Sequence, residues 1–218
     1  NNDISANIHK PSVDNNGVML GIVLAILAGF LFVSSDTVVK LARQDLPVAM
    51  VVWGRFTAHF LLMLFLFPGR KINKLFKVNN FKLVIFRGIL LLLCTCLFFT
   101  AIGYIGLAEA NSIMFISPFF VVALSIPLLK EQVGVRRWSA VIIGFIGIVI
   151  ILRPGFQEIH WAYFLIIGVA FFFALFTILT RTLSFTETAI SMWFYTALVG
   201  MVGSSAIVWY YWQTPTLS

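Results

Sequence analysis

Charged side chains are scarce in this chain of 218 residues. They make up 11% of it, whereas a soluble domain carries about 25%. Apolar residues account for 61%, and the mean hydropathy is +1.01. So few charges cannot cover the surface of a soluble domain. The composition therefore excludes that class and predicts a polytopic membrane protein.

Cysteine and histidine are also rare. Cys94 and Cys96 lie two positions apart in one apolar run, so they point to different faces of a helix. The three histidines fall in a tail, a span and a loop, and no HExxH-like spacing occurs. These scarcities exclude a disulfide framework and leave no metal-ligand spacing. We expect no metal and no cofactor.

Long apolar runs are what the chain has instead. Seven of them match the length of helix that crosses a hydrocarbon core about 30 Å thick, at residues 17–42, 47–67, 81–103, 107–129, 135–153, 160–182 and 187–212. They predict an all-α bundle of transmembrane helices. Residues 1–16 are polar and predict a disordered tail. Gly144 and Gly147 predict close helix packing in the fifth run.

Lysine and arginine cluster in the short loops between these runs, which explains the net charge of +7 without nucleic acid. With the N-terminus inside, the inner segments hold ten of these residues and the outer segments hold three, leaving aside Arg55 and Arg87 within the spans. The positive-inside rule then predicts a cytoplasmic N-terminus. We expect a multi-pass protein of a bacterial inner membrane, with lipid as a partner.

One stretch resembles a known family. It reads LAEANSIMFISPFFVVALSIPLL at 107–129, KEQVGVRRW at 130–138 and GFIGIVIILRPG at 144–155. Together these segments resemble the EamA type of the drug/metabolite transporter superfamily. The resemblance implies ten spans in two five-helix repeats. It also implies export or import of small metabolites, amino-acid-like and cofactor-like compounds among them.

A faint internal repeat accompanies this resemblance, at an offset of 141. Residues 29–32 fall on 170–173, and Lys40 falls on Arg181. A unit of five spans re-enters the membrane from the opposite side, as inverted repeats do. We therefore divide the chain into a first repeat at 17–155 and the first two helices of a second at 160–218. Three helices of the expected ten are then missing, and we interpret the chain as a truncated piece.

Arg55 is the sharpest candidate for substrate binding. It lies near the middle of the second span, where a charge costs at least ~2.5–3.5 kcal/mol and needs a partner or a wet cavity. Its guanidinium either grips a carboxylate or phosphate of the substrate or pairs with Asp36. His59 shares its helix face and either carries a coupled proton or is simply hydrogen-bonded in the bundle.

The fourth span supplies three further candidates for substrate contact. Asn111, Ser117 and Pro118 form either a broken-helix site with free carbonyl groups or an ordinary proline kink. Arg87, near the inner end of the third span, either reaches lipid phosphates or contacts the substrate, and we predict the lipid contact.

Two carboxylates are candidates for coupling or gating. Asp36 either serves this role or pairs with Lys40 four residues on. Glu109 either serves it or stabilises the N-terminus of its own helix.

These features predict a secondary transporter that moves a small organic metabolite, with a carboxylate or other anionic group, by alternating access. Coupling to a proton or an ion accompanies this prediction. The alternatives are an integral membrane enzyme and a receptor or assembly subunit. An enzyme would need a nucleophile–base pair, a carboxylate pair or clustered metal ligands, which the sequence does not offer.

Overall fold

The structure, a computed structural model, describes residues 15–66, 76–130, 134–152 and 160–211. Within these ranges the chain forms eight α-helices and no strand: α1 (Asn15–Asp45), α2 (Val48–Leu66), α3 (Phe81–Ala101), α4 (Leu107–Met114), α5 (Ser117–Leu129), α6 (Val135–Leu152), α7 (Ala162–Leu183) and α8 (Ala189–Tyr211). The predicted tail lies mostly outside the described residues. Its last two residues, Asn15 and Asn16, are helical instead.

Six apolar segments of the described chain are long enough to cross a membrane: Met19–Asp45, Val48–Leu66, Phe81–Ala101, Leu107–Leu129, Ala162–Leu183 and Ala189–Tyr210. The remaining predicted span is the 18-residue α6, which contains the shorter apolar helix Trp138–Gly147. Helix ends lie within three residues of the predicted spans. The prediction of an all-α, multi-pass membrane protein is confirmed.

The fourth predicted span is broken rather than merely kinked. The helix stops at Met114 and restarts at Ser117. Pro118, at the second position of α5, has no N–H for the carbonyl four residues earlier. The amides of Phe115 and Ile116 bond to carbonyls three residues back instead, at 3.3 and 3.0 Å. This tighter turn separates the two helices.

The chain divides into two compact units, residues 1–38 and 39–218. The described part of the first unit is α1 as far as Val38, and most of its apolar side chains are exposed. The second unit contains the end of α1 and all of α2–α8. Within it, α3 packs against both α7 and α8, while α2 packs along α8. Phe56 and Phe99 belong to one buried cluster and Met63 to another.

Glycine allows close contact at two of these helix pairs. A Cβ atom built on Gly200 of α8 would lie 2.0 Å from Cδ1 of Phe56, and one built on Gly88 of α3 would lie 3.0 Å from Cβ of Val199. By contrast, no described atom lies within 4 Å of such a position at Gly144 or Gly147. Within the part of the chain that the structure describes, these two glycines therefore mediate no close packing.

Loop contacts define one end of the second unit. The amides of Asn79 and Asn80, just before α3, both donate to Oε1 of Glu187 at 2.8 Å. The side-chain amide of Asn79 donates to the carbonyl of Thr186, also at 2.8 Å. Both loops were predicted to lie on the inner side of the membrane.

The opposite end is formed by loops that were predicted to lie outside. Arg43 donates from Nε to the carbonyl of Phe99 at 3.1 Å. The ring of Tyr104 stacks on His160, with centroids 5.8 Å apart. The pairing of loops at each end agrees with the predicted alternation of spans. Which end faces the cytoplasm stays a prediction.

Candidate functional site

A cavity of about 90 Å³ lies between α2, α3 and α8. This is the volume of about three water molecules, enough for a small polar group of a ligand. We call it the Arg55 cavity, and it is lined by Arg55, Phe56, His59, Leu91, Thr95, Trp193, Thr196 and Ala197.

Arg55 and His59 lie one turn apart on α2 and both line this cavity. Both are half-buried. Cζ of Arg55 lies 5.2 Å from the ring centroid of Phe99, a distance at which a guanidinium is attracted to an aromatic face. The His59 ring meets Phe56 edge-on, with centroids 6.4 Å apart. Two of the five residues predicted to bind substrate, Arg55 and His59, thus line the same cavity.

The sequence interpretation missed two threonines that line this cavity, Thr95 and Thr196. Thr95 donates from Oγ1 to the carbonyl of Leu91 at 2.8 Å, and Thr196 donates likewise to Met192 at 2.7 Å. A hydroxyl whose proton is used in this way offers only lone pairs to the cavity. One signal was available, because Thr196 stands 141 residues after Arg55, at the equivalent position of the repeat.

Arg87 is buried in the second unit, with 8% of its surface exposed. Nε donates to Oγ1 of Thr180 at 2.7 Å. Nη1 donates to Oγ1 of Thr196 at 2.7 Å and to the carbonyl of Met192 at 3.2 Å. Cζ lies 4.3 Å from the ring centroid of Phe176. The prediction that Arg87 reaches lipid phosphates is therefore wrong, because its guanidinium is bonded to α7 and α8.

The other three predicted contact residues lie on α4 and α5 and do not line the Arg55 cavity. Ser117 is buried, Asn111 is half-buried and Pro118 is exposed. The helix break at 115–116 separates Asn111 from the other two.

The two candidate coupling residues lie in different surroundings. Asp36 belongs to the first unit and is 2% exposed. Glu109 accepts a hydrogen bond from the amide of Gly106 at 3.3 Å and another from the hydroxyl of Tyr163. The bond from Gly106 fits the interpretation of Glu109 as a residue that stabilises its own helix, whereas the bond from Tyr163 joins α4 to α7. Its coupling role stays a prediction.

A protein-family model matches this chain. Residues 19–153 match the model described as the EamA-like transporter family. This match spans well over half of the chain and includes Arg55, His59 and Arg87. The chain belongs to the EamA-like transporter family. The resemblance drawn from residues 107–155 is thereby confirmed.

Several curated proteins are similar to this family member. An S-adenosylmethionine uptake transporter of Rickettsia bellii is 32% identical over 133 residues, which are 61% of this chain and 46% of that protein. The pseudopaline exporter CntI of Pseudomonas aeruginosa is 27% identical over 191 residues, 87% of this chain and 66% of the exporter. A riboflavin transporter of Vibrio cholerae is 26% identical over 198 residues, 89% of this chain and 66% of that transporter.

The chain thus spans about half to two thirds of the length of the curated relatives it matches. No solved structure matches the chain.

Proposed function

We propose that the protein is a secondary transporter, not an enzyme, and that it moves a small organic metabolite across the membrane. The Arg55 cavity is where an anionic group of the substrate binds, with the guanidinium of Arg55 as its main partner. The observation that carries this proposal is a half-buried arginine, near the middle of a span, on the wall of a cavity that is also lined by His59 and two threonines. A guanidinium is matched to carboxylate and phosphate groups by its two parallel donors.

The internal repeat supports this location. Adding the offset of 141 to Phe56 gives Ala197, and adding it to His59 gives Gly200. Phe56 contacts Gly200, and the equivalent pair, His59 and Ala197, lines the cavity. A cavity at the crossing of two repeat-related helices is where inverted-repeat transporters bind their substrates.

The names of the relatives support a proposal that covers small organic metabolites in general. S-adenosylmethionine, pseudopaline and riboflavin differ in structure, and all are small metabolites. We propose alternating access between the two repeats in a lipid bilayer. His59, Asp36 and Glu109 are the candidates for coupling transport to a proton or an ion.

The test of the binding site uses the full-length protein and a matched pair of probes, propionate and propionamide. They have the same shape, and only propionate carries a charge. We expect propionate to bind more tightly. We expect Arg55→Lys to weaken propionate binding at least about 10-fold, or ~1.4 kcal/mol, because lysine keeps the charge but lacks the planar fork.

The structural alternative, a pair between Arg55 and Asp36, predicts a different result. Arg55→Ala would then destabilise the protein, and removing both charges with Asp36→Ala would restore stability. Unchanged propionate binding by Arg55→Lys, or full recovery of binding in the double variant, would contradict the substrate role. Flux of radiolabelled S-adenosylmethionine, riboflavin and propionate into proteoliposomes tests transport itself. If none of the three compounds is transported, the transport proposal is contradicted for the classes of compound that they represent.

A further inference from the structure

A buried arginine lies directly behind one wall of the Arg55 cavity. Arg87 does not line the cavity, but it donates to the hydroxyl of Thr196, which does. Its remaining hydrogen bonds go to Thr180 and to the carbonyl of Met192. The guanidinium is therefore fixed on the far side of Thr196 from the cavity's contents.

These bonds decide what Thr196 can offer to a ligand. A threonine hydroxyl has one proton and two lone pairs. The proton of Thr196 goes to the carbonyl of Met192, and one lone pair accepts the N–H of Arg87. One lone pair is left unused by these two bonds. Thr95 has also given its proton to a carbonyl, that of Leu91. A ligand group that meets these hydroxyls must therefore be a hydrogen-bond donor.

The charge of Arg87 decides which donor fits. Among the described residues its polar partners are all neutral, two hydroxyls and one carbonyl. A donor bonded to Thr196 would lie within about 5.5 Å of Nη1, two hydrogen-bond lengths away. Two positive charges at that separation in a partly buried site repel each other. An ammonium group is disfavoured there, whereas a neutral hydroxyl or amide N–H is not.

We propose that Arg87 is a positioning residue that makes the Arg55 cavity select ligands in which the anionic group stands beside a neutral donor, as in a 2-hydroxycarboxylate. Ligands with an ammonium group at that place are selected against. This inference rests on the proposed function, since it takes Arg55 to hold the anionic group. Among the amino-acid-like and cofactor-like compounds expected from the sequence, it favours those with a neutral donor beside the anionic group and disfavours those with an ammonium group there.

The test uses the full-length protein in detergent and three probes of similar size: lactate, alanine and propionate. All three carry a carboxylate, and they differ at the second carbon, which bears a hydroxyl, an ammonium or a hydrogen. Titration calorimetry should rank wild-type binding as lactate above propionate above alanine. We expect lactate to exceed alanine at least about 10-fold. In Arg87→Gln this ratio should fall to within about 2-fold.

Three further variants test separately the charge of Arg87, the lone pair of Thr196 and the general effect of removing a threonine hydroxyl from a helix. Arg87→Lys keeps the charge, so alanine should stay disfavoured. Thr196→Val leaves Arg87 in place and removes the lone pair, so lactate should lose its advantage over propionate. Thr177→Val removes a threonine-to-carbonyl bond of the same kind on an exposed face of α7 and should change none of the affinities. Thr196→Val decides the question if Arg87→Gln fails to fold.

The outcomes distinguish this inference from the proposed function. If alanine binds the wild type as tightly as lactate, or if the ratio is unchanged in Arg87→Gln, the inference is overturned. The proposed function survives that result when Arg55→Ala still abolishes binding. If no probe binds, or if Arg55→Ala binds as the wild type does, the proposed function itself is overturned.

Discussion

Glu109 stands in the first turn of α4 and accepts two hydrogen bonds, from the amide of Gly106 and the hydroxyl of Tyr163. A carboxylate there also meets the positive end of the helix dipole. A glutamine at this position keeps an oxygen that accepts from the same donors. Its bonding role and its charge can therefore be separated by one substitution.

We expect Glu109→Gln to change the free energy of unfolding by no more than about 0.5 kcal/mol. Tyr163→Phe should lower it by about 1 kcal/mol, because it removes the donor that joins α7 to α4. Denaturant unfolding of the full-length protein measures both. The same Glu109→Gln protein tests coupling: proton-dependent transport that survives the substitution would rule Glu109 out as a coupling residue.

Single residues also show which parts of the candidate site could be predicted from the sequence and which could not. Arg55 stands out in a sequence because a charge in lipid is costly. Thr95 and Thr196 do not, since threonine satisfies its own hydroxyl on the preceding turn anywhere in a span. Arg87 stands out too, but depth alone does not reveal its face. Its partner Thr180 is 93 residues away in the chain, beyond the reach of any local pattern.

At the scale of elements, α2 and α8 are in close contact at Gly200, beside the ring of Phe56. Gly200→Ala forces that ring or the helix to move, and overpacking of this kind costs about 1–3 kcal/mol. Gly168 of α7 is the matched control, since no described atom lies within 4 Å of its Cβ position. Gly168→Ala should be neutral or stabilise by up to about 1 kcal/mol.

Thermal unfolding of the two alanine variants compares these effects. Phe56→Leu, which makes room, should restore more stability in the Gly200→Ala background than it does alone. Equal melting temperatures for Gly200→Ala and Gly168→Ala would mean that α2 and α8 are not in close contact at this point.

Hydropathy was sufficient to place the helices because the thickness of the hydrocarbon core sets their length. It could not show that the fourth span stops and restarts, since Pro118 permits a kink as well as a break. Nor could spacing identify the packing glycines. Gly144 and Gly147 have the spacing but no close neighbour among the described residues, whereas Gly200 faces an aromatic ring supplied by a distant helix.

At the scale of the whole molecule, the distribution of lysine and arginine predicts that the end with Asn79 and Glu187 faces the cytoplasm. We expect Tyr104→Cys, at the opposite end, to react with a membrane-impermeant maleimide in spheroplasts. Lys77→Cys should react only after permeabilisation. Both positions are exposed, so reactivity reports the side of the membrane.

The unsubstituted protein is the control for this labelling, because Cys94 is buried and Cys96 is half-buried within α3. The reverse pattern, with Lys77→Cys labelled in spheroplasts and Tyr104→Cys protected, would invert the orientation of every span.

Among the described residues, Glu187 holds the start of α3 through two main-chain amides, those of Asn79 and Asn80. Every residue except proline supplies such an amide. Most substitutions at positions 79 and 80 would therefore leave these two bonds intact. For these two bonds the demand on sequence falls on one carboxylate, although the bond from the side-chain amide of Asn79 to the carbonyl of Thr186 depends on position 79 as well. Co-variation among homologues detects pairs of side chains that change together. It would not detect the bonds from these amides to Glu187, although the bond from Asn80 joins positions 107 residues apart.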